Sequence, residues 1–145
     1  LQYSSNGEFD KKPDVAIVVF GEKPYAEFEG DLMKTVEFHS PELAMQQKLQ
    51  AQGIPVVAVF LTGRPLYVTP QLDASNAFVV AWLPGSEGQG VADVLFTKAD
   101  GSVNYEFRGK LSFSWPKAPD QVPMNVGDEH YDPLFPYGFG LNYKQ

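Results

Sequence analysis

The sequence predicts an α/β fold with a mostly parallel sheet flanked by helices, and two observations support this prediction. Three apolar runs rich in β-branched and aromatic residues lie at 14–20, 55–63 and 77–83, which is typical of strands buried on both faces of a parallel sheet. Segments with helical signals separate these runs, as βαβ units require. At 145 residues with 43% hydrophobic content, the chain suits one domain.

The clearest helix follows the first strand, at 40–53. Ser40 can cap its start, Pro41 suits the first helical position, and Gly53 ends it. Its predicted apolar side consists of Leu43, Ala44, Met45 and Leu49.

Shorter elements are expected in the rest of the chain. Residues 64–76 hold a turn and one short helix, and a further short helix covers 91–96, with Ser86 as a candidate cap. Residues 97–109 form a loop or a small hairpin. Apolar and polar residues alternate at 110–116, which favours an edge strand.

The ends of the chain differ from its centre. The C-terminal stretch 128–143 is rich in Pro, Gly and aromatic residues, and we expect it to be ordered but irregular and packed by its rings. Residues 1–13 offer no helix to cover the first strand. Three strands buried on both faces need helices on both sides, so we expect part of the sheet to be missing from this chain or supplied by a partner.

Charge and composition exclude several classes of function. A formal charge of −7 argues against nucleic-acid binding and against an anionic membrane surface, because both need clustered Lys and Arg. The chain has no cysteine, which removes thiol nucleophiles, cysteine-bound zinc and disulfides. It begins with Leu, and no signal peptide or membrane-length apolar run is visible, so we expect a processed chain or a fragment.

A long acidic loop follows the first predicted strand, at 21–40. It is longer than a connection requires, and it leaves the carboxyl end of a strand, where open parallel sheets bind ligands. Such carboxyl groups can act as general acid or base, and the alternative is a solvated acidic loop. The acidic residues are Glu22, Glu27, Glu29 and Asp31.

Six motifs identify a family. "GEKPYAEFEGD", "LTGRPL", "AFVVAWLPGSEGQGVADVLF", "GKLSFSWP", "DQVPMNVGD" and "YDPLFPYGFGL" occur in the same order as in glycoside hydrolase family 3. Over residues 14–143 the chain resembles the latter part of that family's second domain, a six-stranded α/β sandwich. It is most similar to the exo-acting β-glucanases and β-glucosidases. The resemblance implies that 1–145 is a single, partial sandwich domain.

The resemblance also assigns a catalytic residue. In these exo-glucanases the general acid/base is the last Glu of a G-E-x-P-Y-x-E motif, which corresponds here to Glu27. Glu22 is then expected to order the loop, and Glu29 and Asp31 are lesser candidates. Tyr25 is expected either to desolvate Glu27 or to anchor the loop, and the same alternatives hold for Phe28. The implied reaction is retaining glycoside hydrolysis without metal or cofactor.

The other half of the implied active site is absent from the chain. The family's Asp nucleophile and inner sugar-binding residues belong to a preceding (β/α)8-type barrel, so we expect this chain alone to be inactive. Its expected partners are that barrel and a β-glucan or β-gluco-oligosaccharide. A non-catalytic carbohydrate-binding or structural accessory domain is the alternative. Polysaccharide substrates favour a periplasmic or secreted location, whereas linkage preference stays open.

The remaining motifs favour structural roles. The glycines of 85–90 do not follow a dinucleotide-binding pattern and indicate a tight strand-to-helix turn. The acidic segment 127–132 fits no zinc spacing. His39 is expected to be solvated or to cap the helix, and Trp82 to lie in the core.

Two further residues carry specific expectations. In the family, Arg64 belongs to a structural element and is expected to pair with a carboxylate inside the domain. Trp115 lies next to Pro116, and a surface or interdomain position and a core position both stay open.

Overall fold

A computed structural model describes residues 1–26, 28 and 38–143. Three parallel strands form one sheet in the order β1-β2-β3, with Ala16 opposite Val56 and Val57 opposite Ala77. The described elements are β1 (Ala16–Gly21), α1 (Glu42–Ala51), β2 (Val56–Leu61), α2 (Thr69–Asp73), β3 (Ala77–Trp82) and α3 (Gly88–Leu95). The predicted α/β class with a parallel sheet is confirmed, as is the short helix within 64–76.

The chain divides into two units, and the first contains the sheet, α1 and α2. Its described residues are 1–26, 28, 38–64 and 68–82. The second unit contains α3 and the C-terminal segment, in residues 65–67 and 83–143.

The three strands differ in burial. In β2 the side chains of Val56 and Phe60 are 0% exposed, as the prediction of a strand buried on both faces requires. In β1 only one face is buried, because Val18 and Phe20 are covered, whereas Val19 on the opposite face is 58% exposed. The prediction is therefore wrong for β1, and it is wrong for β3 as well, because Val79 is the one buried residue of that strand. Both strands lie at the edges of the described sheet.

Four phenylalanines form the centre of the first unit. The ring of Phe60 lies between those of Phe20, Phe38 and Phe78, with centroid distances of 5.3, 4.9 and 6.0 Å. These distances are typical of favourable aromatic pairs. Phe38 comes from the end of the acidic loop, so this cluster joins the loop to the sheet.

Helix α1 begins later than predicted but ends as expected. The hydroxyl of Ser40 accepts the N–H of Glu42 at 3.2 Å, so it still satisfies a free donor at the helix start. Gly53 ends the helix in the left-handed conformation (φ +68°), which glycine adopts without strain. The predicted apolar side is wrong in part, because Ala44 is exposed and the polar Gln46 is buried.

In the second unit, α3 begins at Gly88, and its start differs from the prediction. Glu87 occupies the cap position, and the Ser86 hydroxyl bonds to the carboxylate of Glu87 instead of capping the helix. The tight turn before the helix is confirmed, with the Glu87 N–H donating to the Pro84 carbonyl and Gly85 at φ +57°.

The predicted edge strand at 110–116 is wrong. Only an isolated antiparallel bridge between Trp115 and Phe135 forms there, with a second backbone contact between Leu111 and Phe139. The pairing segment contains prolines and glycines, which remove ladder donors and weaken strands. Within the described ranges, no helix has the length and apolar character needed to span a membrane.

Candidate functional site

The carboxyl ends of the three strands meet at one edge of the sheet, because the strands are parallel. Glu22 follows β1 directly, and its N–H donates to the Leu61 carbonyl at 3.0 Å. Thr62 follows β2, and its N–H donates to the carbonyl of Trp82 at the end of β3. This edge is where an open parallel sheet binds ligands, so it is the candidate site.

Glu22 is held by groups that follow β2. Its Oε1 accepts a hydrogen bond from the Thr62 hydroxyl at 2.5 Å and a longer one from the Gly63 N–H at 3.4 Å. Its Oε2 accepts from Arg64, with Nε at 2.9 Å and Nη2 at 2.8 Å. Both carboxylate oxygens are therefore engaged, and the predicted pairing of Arg64 with a carboxylate is confirmed.

Arg64 also contacts the loop at a second point. Its guanidinium carbon lies 4.5 Å from the centroid of the Tyr25 ring, a cation–π geometry. Tyr25 thus anchors the loop, one of the two roles expected for it, while its side chain stays 45% exposed. One arginine following β2 therefore binds two residues of the segment that follows β1.

Gly21 makes this close approach possible. A Cβ atom at this position would collide with the Leu61 carbonyl oxygen and lie 2.7 Å from Leu61 Cβ. Any larger residue would push the ends of β1 and β2 apart, at the place where Glu22 meets Thr62. Gly21 is needed for space, since only its missing side chain admits Leu61 this close.

The far end of the acidic loop is fixed differently. The Phe38 carbonyl accepts a hydrogen bond from Gln71 Nε2 at 3.2 Å, and its ring packs in the phenylalanine cluster. Gln46 Nε2 in turn donates to the Gln71 carbonyl at 3.3 Å. Both glutamines are buried, and within the described part of the chain their Oε1 atoms have no donor.

Three of the four acidic residues predicted in the loop, Glu27, Glu29 and Asp31, lie outside the described residues. Glu22, a lesser catalytic candidate, has its carboxylate in the ion pair with Arg64 and fits the expected role of ordering the loop. Phe28 is described, with its side chain 78% exposed and its backbone at φ +72°.

Trp82 and Trp115 differ from each other. Trp82 is only partly buried, so its prediction as a core residue is wrong, and its φ of +55° is unusual for a bulky residue. Trp115 is 1% exposed and donates from Nε1 to the Leu66 carbonyl at 2.7 Å. Of its two open alternatives, the core position is therefore correct.

The other candidate sites carry local contacts. Asp128 accepts the Asn125 N–H at 2.6 Å, and Asp132 pairs with Lys117 at 3.0 Å, so these two of the three carboxylates in the 127–132 segment stabilise loops. His39 is exposed. Across the described ranges, the His, Cys, Asp and Glu side chains form no group of three or more suited to a metal.

Sequence reasoning missed two members of the site, Gly21 and Thr62. Each occupies the last residue of a strand or the first after it, a position where neighbouring parallel strands bring side chains together. That position was the signal available in the sequence. Their partners could not be read from it, because Thr62 and Glu22 are forty residues apart along the chain.

Comparison with known proteins gives consistent results. Residues 2–143 match the model of the glycosyl hydrolase family 3 C-terminal domain. A periplasmic beta-glucosidase of Salmonella typhimurium is 30% identical, and the match covers 92% of this chain and 20% of that protein. A lysosomal beta glucosidase of Dictyostelium discoideum is 34% identical, over 94% of this chain and 17% of the relative.

Solved structures agree in fold. The exo-1,3/1,4-beta-glucanase of a Pseudoalteromonas species superimposes with a TM-score of 0.93 at 57% identity, over 98% of this chain and 18% of that one. A beta-glucosidase of Listeria innocua in complex with isofagomine superimposes with a TM-score of 0.73 at 28% identity, over 90% of this chain and 21% of that one. The chain thus spans about a fifth of the length of the relatives that it matches.

Proposed function

The chain belongs to the glycosyl hydrolase family 3 C-terminal domain family, and on that basis we propose that it supplies the general acid/base of a retaining β-glucan glucohydrolase or β-glucosidase. The observation that carries the proposal is the 57% identity, over 98% of the chain, to an exo-1,3/1,4-beta-glucanase. Exo-acting release of glucosyl units from β-glucans or β-gluco-oligosaccharides follows by analogy with that relative.

In this proposal Glu27 is the catalytic carboxyl group. It protonates the departing glycosidic oxygen and later removes a proton from the water that releases the sugar. A retaining enzyme needs a second carboxyl group as nucleophile about 5–5.5 Å away. That nucleophile and the inner sugar pocket belong to a barrel domain elsewhere in the parent protein.

The geometry of the described residues supports Glu27 over Glu22. Glu22 has both oxygens bonded to Arg64, Thr62 and Gly63, and its side chain is only 10% exposed. A carboxylate engaged in this way has no free oxygen for a substrate proton. Glu22 therefore stabilises the loop, and in this proposal the general acid is Glu27, further along the sequence.

We propose further that the chain is one part of a sandwich domain that packs against this barrel. The exposed apolar face of β1 supports this, since Ile17 and Val19 are 36% and 58% exposed, and Val15, directly before the strand, is 48% exposed. Exposed apolar faces of this kind mark surfaces that another element covers. The relatives, about five times longer than the chain, have ample sequence to supply such an element.

The relatives also suggest a location. They include a periplasmic and a lysosomal beta-glucosidase. A periplasmic or secreted parent protein suits a polysaccharide substrate, which does not enter the cytoplasm intact.

The test is Glu27→Ala in the full-length parent protein. We expect turnover of aryl glucosides with poor leaving groups to fall by about 10²–10⁴-fold, because these need a proton donor. Azide should restore part of the turnover of activated substrates by replacing the water step, with formation of a glucosyl azide. Glu22→Gln serves as the comparison for a loop residue without that chemistry, and it should show no azide effect.

Near-normal turnover of Glu27→Ala on poor leaving groups would refute the assignment and favour the accessory-domain alternative. Robust hydrolysis by the purified 145-residue chain would contradict the proposal that the nucleophile lies elsewhere.

A further inference from the structure

We infer that Arg64 is a positioning residue, which holds the first part of the acidic loop in the conformation that general acid catalysis requires. The inference rests on the proposed function of Glu27. Arg64 itself follows β2 and lies outside the G-E-x-P-Y-x-E motif, so no part of that motif predicts it.

The contacts of Arg64 have a specific geometry. Two nitrogens of one guanidinium bind the same oxygen of Glu22, at 2.9 and 2.8 Å, while its carbon lies 4.5 Å from the Tyr25 ring centroid. A planar guanidinium can donate in its plane and stack through its face at the same time. Lysine has a point charge without a plane and cannot reproduce both contacts.

The pair is protected from water. The side chains of Arg64 and Glu22 are 25% and 10% exposed, in contrast to 53% and 70% for Lys117 and Asp132 in the second unit. The Thr62 hydroxyl further orients Glu22 by donating to its other oxygen at 2.5 Å. A partly buried pair of this kind, whose carboxylate accepts further hydrogen bonds, restricts the backbone that carries it more than an exposed pair does.

The chain connects this anchor directly to the proposed acid. Tyr25 precedes Glu27 by two residues, which limits the distance between their Cα atoms to about 7 Å. At the other end of the loop, Phe38 is held by Gln71 and by the rings of Phe20 and Phe60. Loss of the Arg64 contacts frees the end nearer to Glu27, where misplacement of a catalytic group by about 1 Å can cost about 10²-fold in rate.

The experiment uses Arg64→Lys in the full-length parent protein, with two substrates. Phenyl β-glucoside needs a proton donor for its leaving group, whereas 2,4-dinitrophenyl β-glucoside does not. We expect kcat/KM to fall about 10- to 100-fold for the first substrate and to stay nearly unchanged for the second. Lys117→Met is the matched control, since it removes the cation of an exposed ion pair, and both rates should stay at the level of the unmodified protein.

Two results would overturn the inference. An equal fall for both substrates in a variant that melts at the same temperature as the unmodified protein indicates that Arg64 does not act through the acid, and unchanged rates for both indicate that Arg64 has no effect on the acid. If Arg64→Lys fails to fold, Tyr25→Leu removes the stacked ring instead and should give the same selective loss.

Glu27→Ala separates this inference from the proposed function. If Glu27→Ala shows no loss selective for the poor leaving group, the proposed function fails, and the role of Arg64 fails with it. If Glu27→Ala shows the loss and Arg64→Lys does not, only the Arg64 inference fails. In the double variant, Arg64→Lys should add no further selective loss, because its effect is transmitted through Glu27.

Discussion

The two units of the chain reach order by different means. In the first, three parallel strands share backbone ladders, with one shift of register between β2 and β3, and the phenylalanine cluster packs on one face of the sheet. In the second, one helix and an isolated bridge provide little regular structure, and side chains bond to backbone groups instead. Trp115 bonds to the Leu66 carbonyl, and the Tyr143 hydroxyl bonds to the Val94 carbonyl.

The two units are therefore expected to depend on different contacts for their stability. In the sheet, apolar burial dominates, so the loss of a ring should cost most. In the second unit, many contacts are single hydrogen bonds, each of which contributes about 1 kcal/mol. Catalytic positioning is expected where the apolar core of the sheet supports individual polar contacts, as at Glu22 and Arg64.

The largest effect is expected for Phe60→Ala. Phe60 is 0% exposed and its ring touches three others, so the cavity should lower the free energy of unfolding by about 3–5 kcal/mol. Thermal unfolding of the parent protein measures this, with Val126→Ala, at an exposed position, as the control. If the melting temperature of Phe60→Ala fell as little as that of the control, the phenylalanine cluster would not form the core of this unit.

A smaller decrease in the free energy of unfolding is expected for Trp115→Phe. The change removes the 2.7 Å hydrogen bond to Leu66 and part of a buried ring, for a cost of about 2–3 kcal/mol. The same thermal measurement applies, and a cost above that of Phe60→Ala would reverse the proposed order of the two units.

A pH effect is expected at Tyr143. Partial loss of hydration and the nearby Glu106 carboxylate raise the pKa of the Tyr143 hydroxyl above its usual 10.0. A raised pKa in the folded state adds stability that is present below pH 10 and is lost as pH rises through the folded value. Melting temperatures between pH 8 and pH 11 should fall more steeply for the unmodified protein than for Tyr143→Phe, and equal slopes would contradict this.

The smallest effect is expected for Lys117→Met. Its ion pair with Asp132 is exposed on both sides, so its loss should change the free energy of unfolding by no more than about 0.5 kcal/mol. A loss above about 1 kcal/mol would show that this surface pair resembles the protected pair at Arg64.

Local patterns predicted the regular parts of the fold well. The three strands, the end of α1 at Gly53 and the pairing of Arg64 all follow from short stretches of sequence or from the family motifs. The predictions were wrong where a segment distant in sequence decides the local structure or the burial of a side chain. The alternation at 110–116 suggests a strand, yet its pairing segment carries prolines and glycines that limit it to one bridge. Gln46 is polar and nevertheless buried, because α2 supplies a carbonyl for its amide.

The sequence by itself determined the class of fold, the family and the acidic motif that leads to Glu27, because these depend on residue types and their order along the chain. Only the tertiary structure decided that Glu22 is engaged by Thr62 and Arg64, that one face of β1 is exposed and that Trp115 is buried. These facts depend on which strand ends and side chains meet in space. Contacts between residues forty positions apart leave no periodicity in the sequence from which they could be read.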